Sequence, residues 1–149
     1  MTSNPIPVGV ARRFSASPEQ VFDAWLDAGT AGRWLFATAE GEMIQVEIDP
    51  RLGGHFHIVE RRDGEDVAHH GVFVRMDRPR LLAFDLRVSL AGAQATRVTV
   101  EVAPDGDGSR LRLTHEIDPA WADFAERTAQ GWTAVLDALA RRLGEAPSP

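Results

Sequence analysis

Between Trp121 and Leu143 apolar side chains recur at steps of three and four: Trp121, Phe124, Ala125, Trp132, Val135, Leu136, Leu139 and Leu143, with Thr128 on the same stripe. That spacing is the period of a helix with one buried face. Glu126, Arg127, Asp137, Arg141 and Arg142 occupy positions off the stripe. The pattern predicts one long amphipathic helix, entered through Asp118 and Pro119 and stopped at Gly144 behind two arginines. A stripe this broad has to be covered, because each large apolar side chain buried is worth roughly 1.5 to 3 kcal/mol.

Period-two segments upstream supply the cover. Val8, Val10 and Phe14 mark a first strand, and Ser17-Pro18 with Gln20 three residues after the serine reads as a helix N-terminus with a capping box. That helix puts Val21, Phe22 and Trp25 on one side, breaks at Asp27-Ala28-Gly29-Thr30, and leads through a second short piece to Trp34, Leu35 and Phe36. Further strands follow around Met43 to Ile48, His55 to Glu60, Val67 to Met76, Leu82 to Val88, Val98 to Val102 and Leu111 to Ile117. They are separated by turn residues at Asp49-Pro50, Asp63-Gly64, Asp77 to Arg80, Ala91-Gly92-Ala93 and Pro104 to Gly108. Short strands joined by tight turns form an antiparallel meander, so the expected fold is α+β: a curved sheet of six to seven strands wrapped around the C-terminal helix. One domain spanning 1–149 is expected, with short disordered tails at about 1–6 and 145–149.

Composition narrows the chemistry more than the fold. The 149 residues include no cysteine, which excludes thiol catalysis, thiolate metal sites and disulfides. All 16 basic residues are arginine, so no lysine is present to form a Schiff base or to hold a phosphate in a P-loop. A net charge of −6 argues against nucleic acid or an anionic membrane as the main partner. The opening Met-Thr-Ser-Asn-Pro-Ile-Pro has neither a basic start nor an apolar run, and no 18-residue apolar window exists, so the expected location is the cytoplasm.

Two polar residues interrupt the apolar faces. Glu60 follows Phe56 and Ile58 inward, and His115 follows Leu111 and Leu113. Inside a pocket they would be weak candidates for acid and base, with the Glu60 carboxyl raised by burial unless it is paired; at strand ends, or satisfying each other, they would be structural. His55 and His57 share the opposite strand face, and a turn at Asp63-Gly64 places His70 almost opposite His57, an arrangement that would suit zinc or nickel. Exposed histidines or a dimer surface explain the same trio. Gly131, in mid-helix, costs up to about 1 kcal/mol relative to alanine, which fits close packing or space left for a ligand. Ser15, Ser17, Ser89 and Ser109 lie at strand ends, caps or turns with no nucleophile elbow, so nothing in the sequence supports a serine hydrolase.

Several stretches taken in order resemble the activator of heat-shock protein 90 ATPase homologue family, a branch of the START-like superfamily. They are Val10 to Trp25 with Arg33-Trp34, Gly53-Gly54, Gly71-Val72-Phe73, Pro79 to Phe84, Arg110 to Glu116, and Gly131-Trp132 followed by Leu136-Asp137. The resemblance implies the helix-grip fold, with a cavity between sheet and long helix of the kind that the superfamily uses for lipids, sterols and polyketides. It implies binding of an apolar or amphipathic small molecule, without cofactor, in a role that includes stress-related binding. Trp25, Trp34, Phe36, Phe56, Ile58, Glu60, Phe73, Phe84, Leu86, His115, Trp132 and Leu136 are the expected lining, although the same residues would equally fill a solid core. A co-chaperone-like protein partner, a homodimer, and a cavity-based cyclase or hydrolase using Glu60 and His115 stay open as alternatives.

Overall fold

Alternation of apolar and polar residues becomes one continuous sheet. The computed structural model describes residues 4–38, 40–88 and 95–144. Its strands are β1 (Ile6–Phe14), β2 (Glu42–Ile48), β3 (His55–Arg62), β4 (Glu65–Asp77), β5 (Leu81–Val88), β6 (Thr96–Asp105) and β7 (Gly108–Ile117). They form a seven-stranded sheet in the order β1-β7-β6-β5-β4-β3-β2, antiparallel throughout. Consecutive strands pair as a meander, and β1 closes onto β7 with Ile6 opposite Ile117. Part of the N-terminal tail expected at about 1–6 is therefore strand from Ile6 onward; the rest of both tails and the turn at Ala91-Gly92-Ala93 lie mostly or wholly outside the described residues.

The hairpin between β3 and β4 turns where the Asp-Gly signature places it, with Asp63 at φ 50° and Gly64 at φ 80°, the left-handed pair that a tight two-residue turn requires. Between β1 and β2 run α1 (Pro18–Ala24) and α2 (Ala28–Ala31). Ser17 caps α1 through a complete capping box with Gln20, and Asp27 caps α2. This bent segment turns Val21, Phe22, Trp25, Ala31 and Trp34 into the core. Trp25 and Trp34 meet edge to face with ring centres 4.9 Å apart.

The C-terminal stripe is interrupted. Asp118 accepts a hydrogen bond from the Ala120 amide at 2.8 Å, and Pro119–Phe124 form a 3-10 stretch in which Trp121 leaves helical geometry (φ −103°, ψ 18°). The α-helix proper is α3 (Ala125–Arg142). Trp121 and Phe124 are consequently exposed, packed on each other with ring centres 5.3 Å apart, and the buried face is carried by Trp132, Leu136, Leu139 and Ala140. The single helix expected from Trp121 thus begins four residues late, because the Asp118–Pro119 cap starts a tighter turn that rotates the first two aromatics off the stripe. Arg12 on β1 ties α3 down through Asp137 at 3.0 Å, and Gly144, at φ 78°, ends the helix. The whole is the helix-grip arrangement, an open sheet closed over one long helix.

Candidate functional site

Inward positions of β3 to β5 stand in register across the sheet: Ile58 opposite His69, and His69 opposite Val88; one step along, Phe56 faces Gly71, which faces Leu86. Gly71 is required here. A Cβ at that position would lie 2.0 Å from the Phe56 ring, so the glycine lets that ring lie flat across β4. Above this surface, α3 presents Thr128, Gly131, Trp132, Ala134 and Val135, and between sheet and helix lies a cavity of about 320 Å³. Phe36, Ala37, Thr38, Arg62, His69, Leu86, Val88 and His115 complete the wall. Thr38, Gly131 and Ala134 are exposed, so the cavity reaches solvent between the loop after α2 and the helix. Its size falls within the roughly 300 to 1,000 Å³ of small-molecule sites.

Four of the twelve expected lining residues, Phe36, Leu86, His115 and Trp132, stand on this cavity. Trp25, Trp34, Phe56, Ile58, Phe73, Phe84 and Leu136 are buried in the core around and behind it. Trp25 nevertheless touches the site indirectly, with its ring centre 6.4 Å from that of Trp132. At Gly131 nothing lies within 4 Å of where a Cβ would be; of the two readings of that glycine, close packing is the one that fails.

Glu60 is inward, 1% exposed, yet it is not partnered with His115. The Thr38 amide donates to Oε2 at 2.7 Å, the Thr38 hydroxyl donates to Oε1 at 3.0 Å, and Arg62 Nε donates to Oε1 as an ion pair. Burial pushes the carboxyl up, but the hydrogen bonds from Arg62 and Thr38 and the charge of Arg62 outweigh it and hold Glu60 below the ordinary carboxylate range. The elevated carboxyl expected of an unpaired Glu60 is therefore replaced by a fixed carboxylate that orients Arg62. Gly41 leaves room for it, since a Cβ there would lie 2.3 Å from the carboxyl carbon.

His115 is a post between sheet and helix. The Trp132 indole N–H donates to Nδ1 at 3.0 Å, and Nε2 lies 2.7 Å from the Thr96 hydroxyl oxygen. An indole can only donate, so Nδ1 carries the lone pair and the ring proton sits on Nε2. Burial lowers the pKa of His115 to about 4, and the neutral tautomer is locked.

His69, Arg62, Thr38 and Thr128 are the polar wall residues absent from the expected set. Parity along β4 was the available signal for His69: it alternates in step with Val67 and Phe73, all buried. His69 is 5% exposed and stacks on Phe36, with ring centres 4.1 Å apart and planes 9° apart. Phe36 itself sits in left-handed backbone at φ 59°, a conformation that costs a non-glycine residue roughly 1 to 2 kcal/mol. Arg62 Nη2 donates to its carbonyl at 3.1 Å, so the strained turn is held by the same guanidinium that pairs Glu60. Burial and then the charge of Arg62 bring the His69 pKa down to about 4, against the opposing pull of a hydrogen bond to the Ile58 backbone and of Glu60.

The outer face carries the other trio. His55 Nδ1 and His70 Nε2 are 3.1 Å apart, and the His57 and His70 ring centres 6.0 Å apart. The first contact uses a nitrogen of each ring on the other, and among the described residues no group of three or more His, Asp or Glu is placed to share a metal ion. The β2–β3 register does set Glu47 opposite His57, a carboxylate neighbour that spacing along the chain does not show.

Residues 15–144 match the family described as "Activator of Hsp90 ATPase homolog 1-like protein". No curated protein matches the chain. Among solved structures, the Chromobacterium violaceum protein CV1439 is similar at 26% identity over 91% of this chain and 94% of its own, with a TM-score of 0.80. The Rhizobium loti protein Mll3558 is similar at 28% identity over 91% and 95%, with a TM-score of 0.75. An AHSA1-like protein from Aeromonas hydrophila shares the fold at 20% identity over 91% and 90%, with a TM-score of 0.78. Among the described residues, no helix is long and apolar enough to cross a membrane.

Proposed function

The chain belongs to the Activator of Hsp90 ATPase homolog 1-like family, and from that premise we propose that it binds an apolar or amphipathic small molecule between the sheet and α3. One observation carries this reading: the cavity of about 320 Å³ bounded by Phe36, Leu86, Val88, Trp132 and Val135. Apolar walls of this kind draw an apolar guest out of water, and a few placed polar groups orient it. A solid core would leave no such space beneath Thr128, Gly131 and Val135 of α3, which line it.

Catalysis by Glu60 and His115 draws no support from their surroundings. The oxygens of Glu60 are taken by Thr38 and Arg62, and both nitrogens of His115 by Trp132 and Thr96. Native mass spectrometry of the protein purified gently from its own host tests the proposal. A retained small molecule that is lost from Gly131→Phe, whose ring enters the open space beside α3, is the expected result. A protein of bare mass that also takes up no apolar probe would refute it.

A further inference from the structure

We propose that the cavity selects an amphipathic ligand with an anionic head, a carboxylate, received by the guanidinium of Arg62 while the apolar body lies against Phe36, Leu86, Val88, Trp132 and Val135. This deepens the binding reading above and rests on it. Among the described residues of the wall, Arg62 is the one charged at neutral pH. Burial, joined at His69 by the charge of Arg62, brings His69 and His115 to pKa values of about 4, so both rings are neutral. The counter-charge stands behind the wall: Glu60 is 1% exposed, its oxygens are taken by Thr38 and Arg62, and no carboxylate lines the cavity among the described residues.

The guanidinium is held in place but only partly used. Of its five N–H donors, Nε serves Glu60 and one on Nη2 serves the Phe36 carbonyl at 3.1 Å. Nη1 makes no hydrogen bond among the described residues, yet it is not one of the buried unpartnered side-chain nitrogens, which belong to Trp25, Trp34 and His69. Its two N–H groups are therefore accessible, on a side chain that is 33% exposed and lines the cavity. Phe36 sets the position, because its carbonyl holds Nη2 while its ring forms part of the apolar wall. A charged donor thus stands beside apolar space at the loop after α2, where the cavity opens.

Distance decides the sign of the field there. With Arg62 in the wall and Glu60 behind it, a group inside the cavity is nearer the cation, and the interaction of charges falls with separation. His69 senses the same balance from within the wall: the charge of Arg62 lowers its pKa more than that of Glu60 raises it. A carboxylate that accepts from Nη1 makes a charge-assisted hydrogen bond, roughly twice as strong as one to a neutral acceptor. An ammonium head would face a cation and find no carboxylate in the wall to meet it.

Calorimetry at neutral pH tests this with four probes of one ring system: 2-naphthoate, methyl 2-naphthoate, naphthalene and 2-naphthylmethylammonium. The anion is expected to bind at least about tenfold more tightly than the ester, and the ammonium more weakly than either. Glu60→Gln, which removes the carboxylate behind Arg62 but keeps the guanidinium, is expected to widen that preference by about threefold or more. Glu60→Gln/Arg62→Gln, which removes both charges together and leaves neither buried alone, is expected to bring anion and ester within about twofold of each other. An ester that equals the anion, an ammonium that exceeds it, a preference that narrows in Glu60→Gln, or one unchanged in the double variant overturns the head-group assignment while leaving cavity binding intact. If the double variant does not fold, the parent and Glu60→Gln decide the matter by themselves. Failure of all four probes, naphthalene included, overturns the binding reading and this assignment with it.

Discussion

His69 and His70 are neighbours in the chain and opposites in chemistry. His69 points to the concave face, where it is 5% exposed, stacked on Phe36 and brought down to a pKa of about 4. His70 points to the convex face, half-buried in contact with His55, and is lowered first by burial and then by the charges of His57, His55 and Arg87. His115 joins His69 inside, and His55 and His57 join His70 outside. Which face of the pleat a side chain occupies, set by parity along the strand, separates histidines that line the cavity from histidines on a solvated surface. Neither inner ring can take a proton without placing a charge where burial disfavours it, and His115 would also lose the acceptor that Trp132 uses.

The largest expected effect follows from that asymmetry. The inner rings have folded pKa values of about 4 against an ordinary 6.5, so below pH 6.5 the unfolded chain binds protons that the native protein refuses. Their contribution to stability is therefore complete above pH 6.5 and declines as pH falls toward 4, by up to about 3 kcal/mol for each ring. Glu60, also held low by its partners, adds to the loss with the same sign on further acidification. Denaturant unfolding as a function of pH would show this slope in the parent protein and in a His55→Ala/His57→Ala/His70→Ala variant alike. A slope that vanished with the outer trio would assign the effect to the wrong face.

Trp132→Phe comes next. It keeps most of the packing but leaves His115 Nδ1 without its 3.0 Å donor, for a loss of about 1 to 3 kcal/mol. The NMR titration of His115 should then move up from about 4, because the bond that favours the neutral ring has gone. A titration that stayed in place would mean that burial alone sets it.

Gly131→Ala is expected to stabilise the protein by about 0.5 to 1 kcal/mol in thermal melts, through helix propensity and a less flexible unfolded chain. The added methyl meets nothing within 4 Å, so a destabilised variant would contradict the open space beside α3. The smallest effect belongs to the outer surface. His57→Ala should change stability by no more than about 0.5 kcal/mol, and a larger loss would show the outer trio to be a structural cluster.

The architecture was legible because its signals were local and repeated. Alternation in Leu82, Phe84, Leu86 and Val88, the Ser17–Gln20 capping box and the Asp63-Gly64 turn each specify their own few residues, and together they leave one way to cover the C-terminal stripe. The start of that helix misled because Trp121 and Phe124 keep the apolar spacing while the Asp118–Pro119 cap begins a 3-10 turn, a backbone choice that periodicity does not register. Much of the cavity was hidden for a different reason. Large aromatics such as Phe73 and Phe84 announce a core, but part of the cavity wall is small or polar, Thr128, Gly131, Ala134 and Arg62, residues whose part in it depends on how far the helix stands from the sheet. Glu60 was placed correctly on the inner face, while its partners Thr38 and Arg62 come from a loop and a strand end that parity alone does not bring together.

The most direct test of the central claim is an NMR titration with naphthalene, followed at the Trp132 indole N–H and at the methyl groups of Leu86, Val88 and Val135. Saturable shifts confined to these groups, and abolished in Gly131→Phe, are the predicted result. Shifts that fail to saturate, or that gather at the exposed Trp121 and Phe124 instead, would contradict a ligand cavity between the sheet and α3.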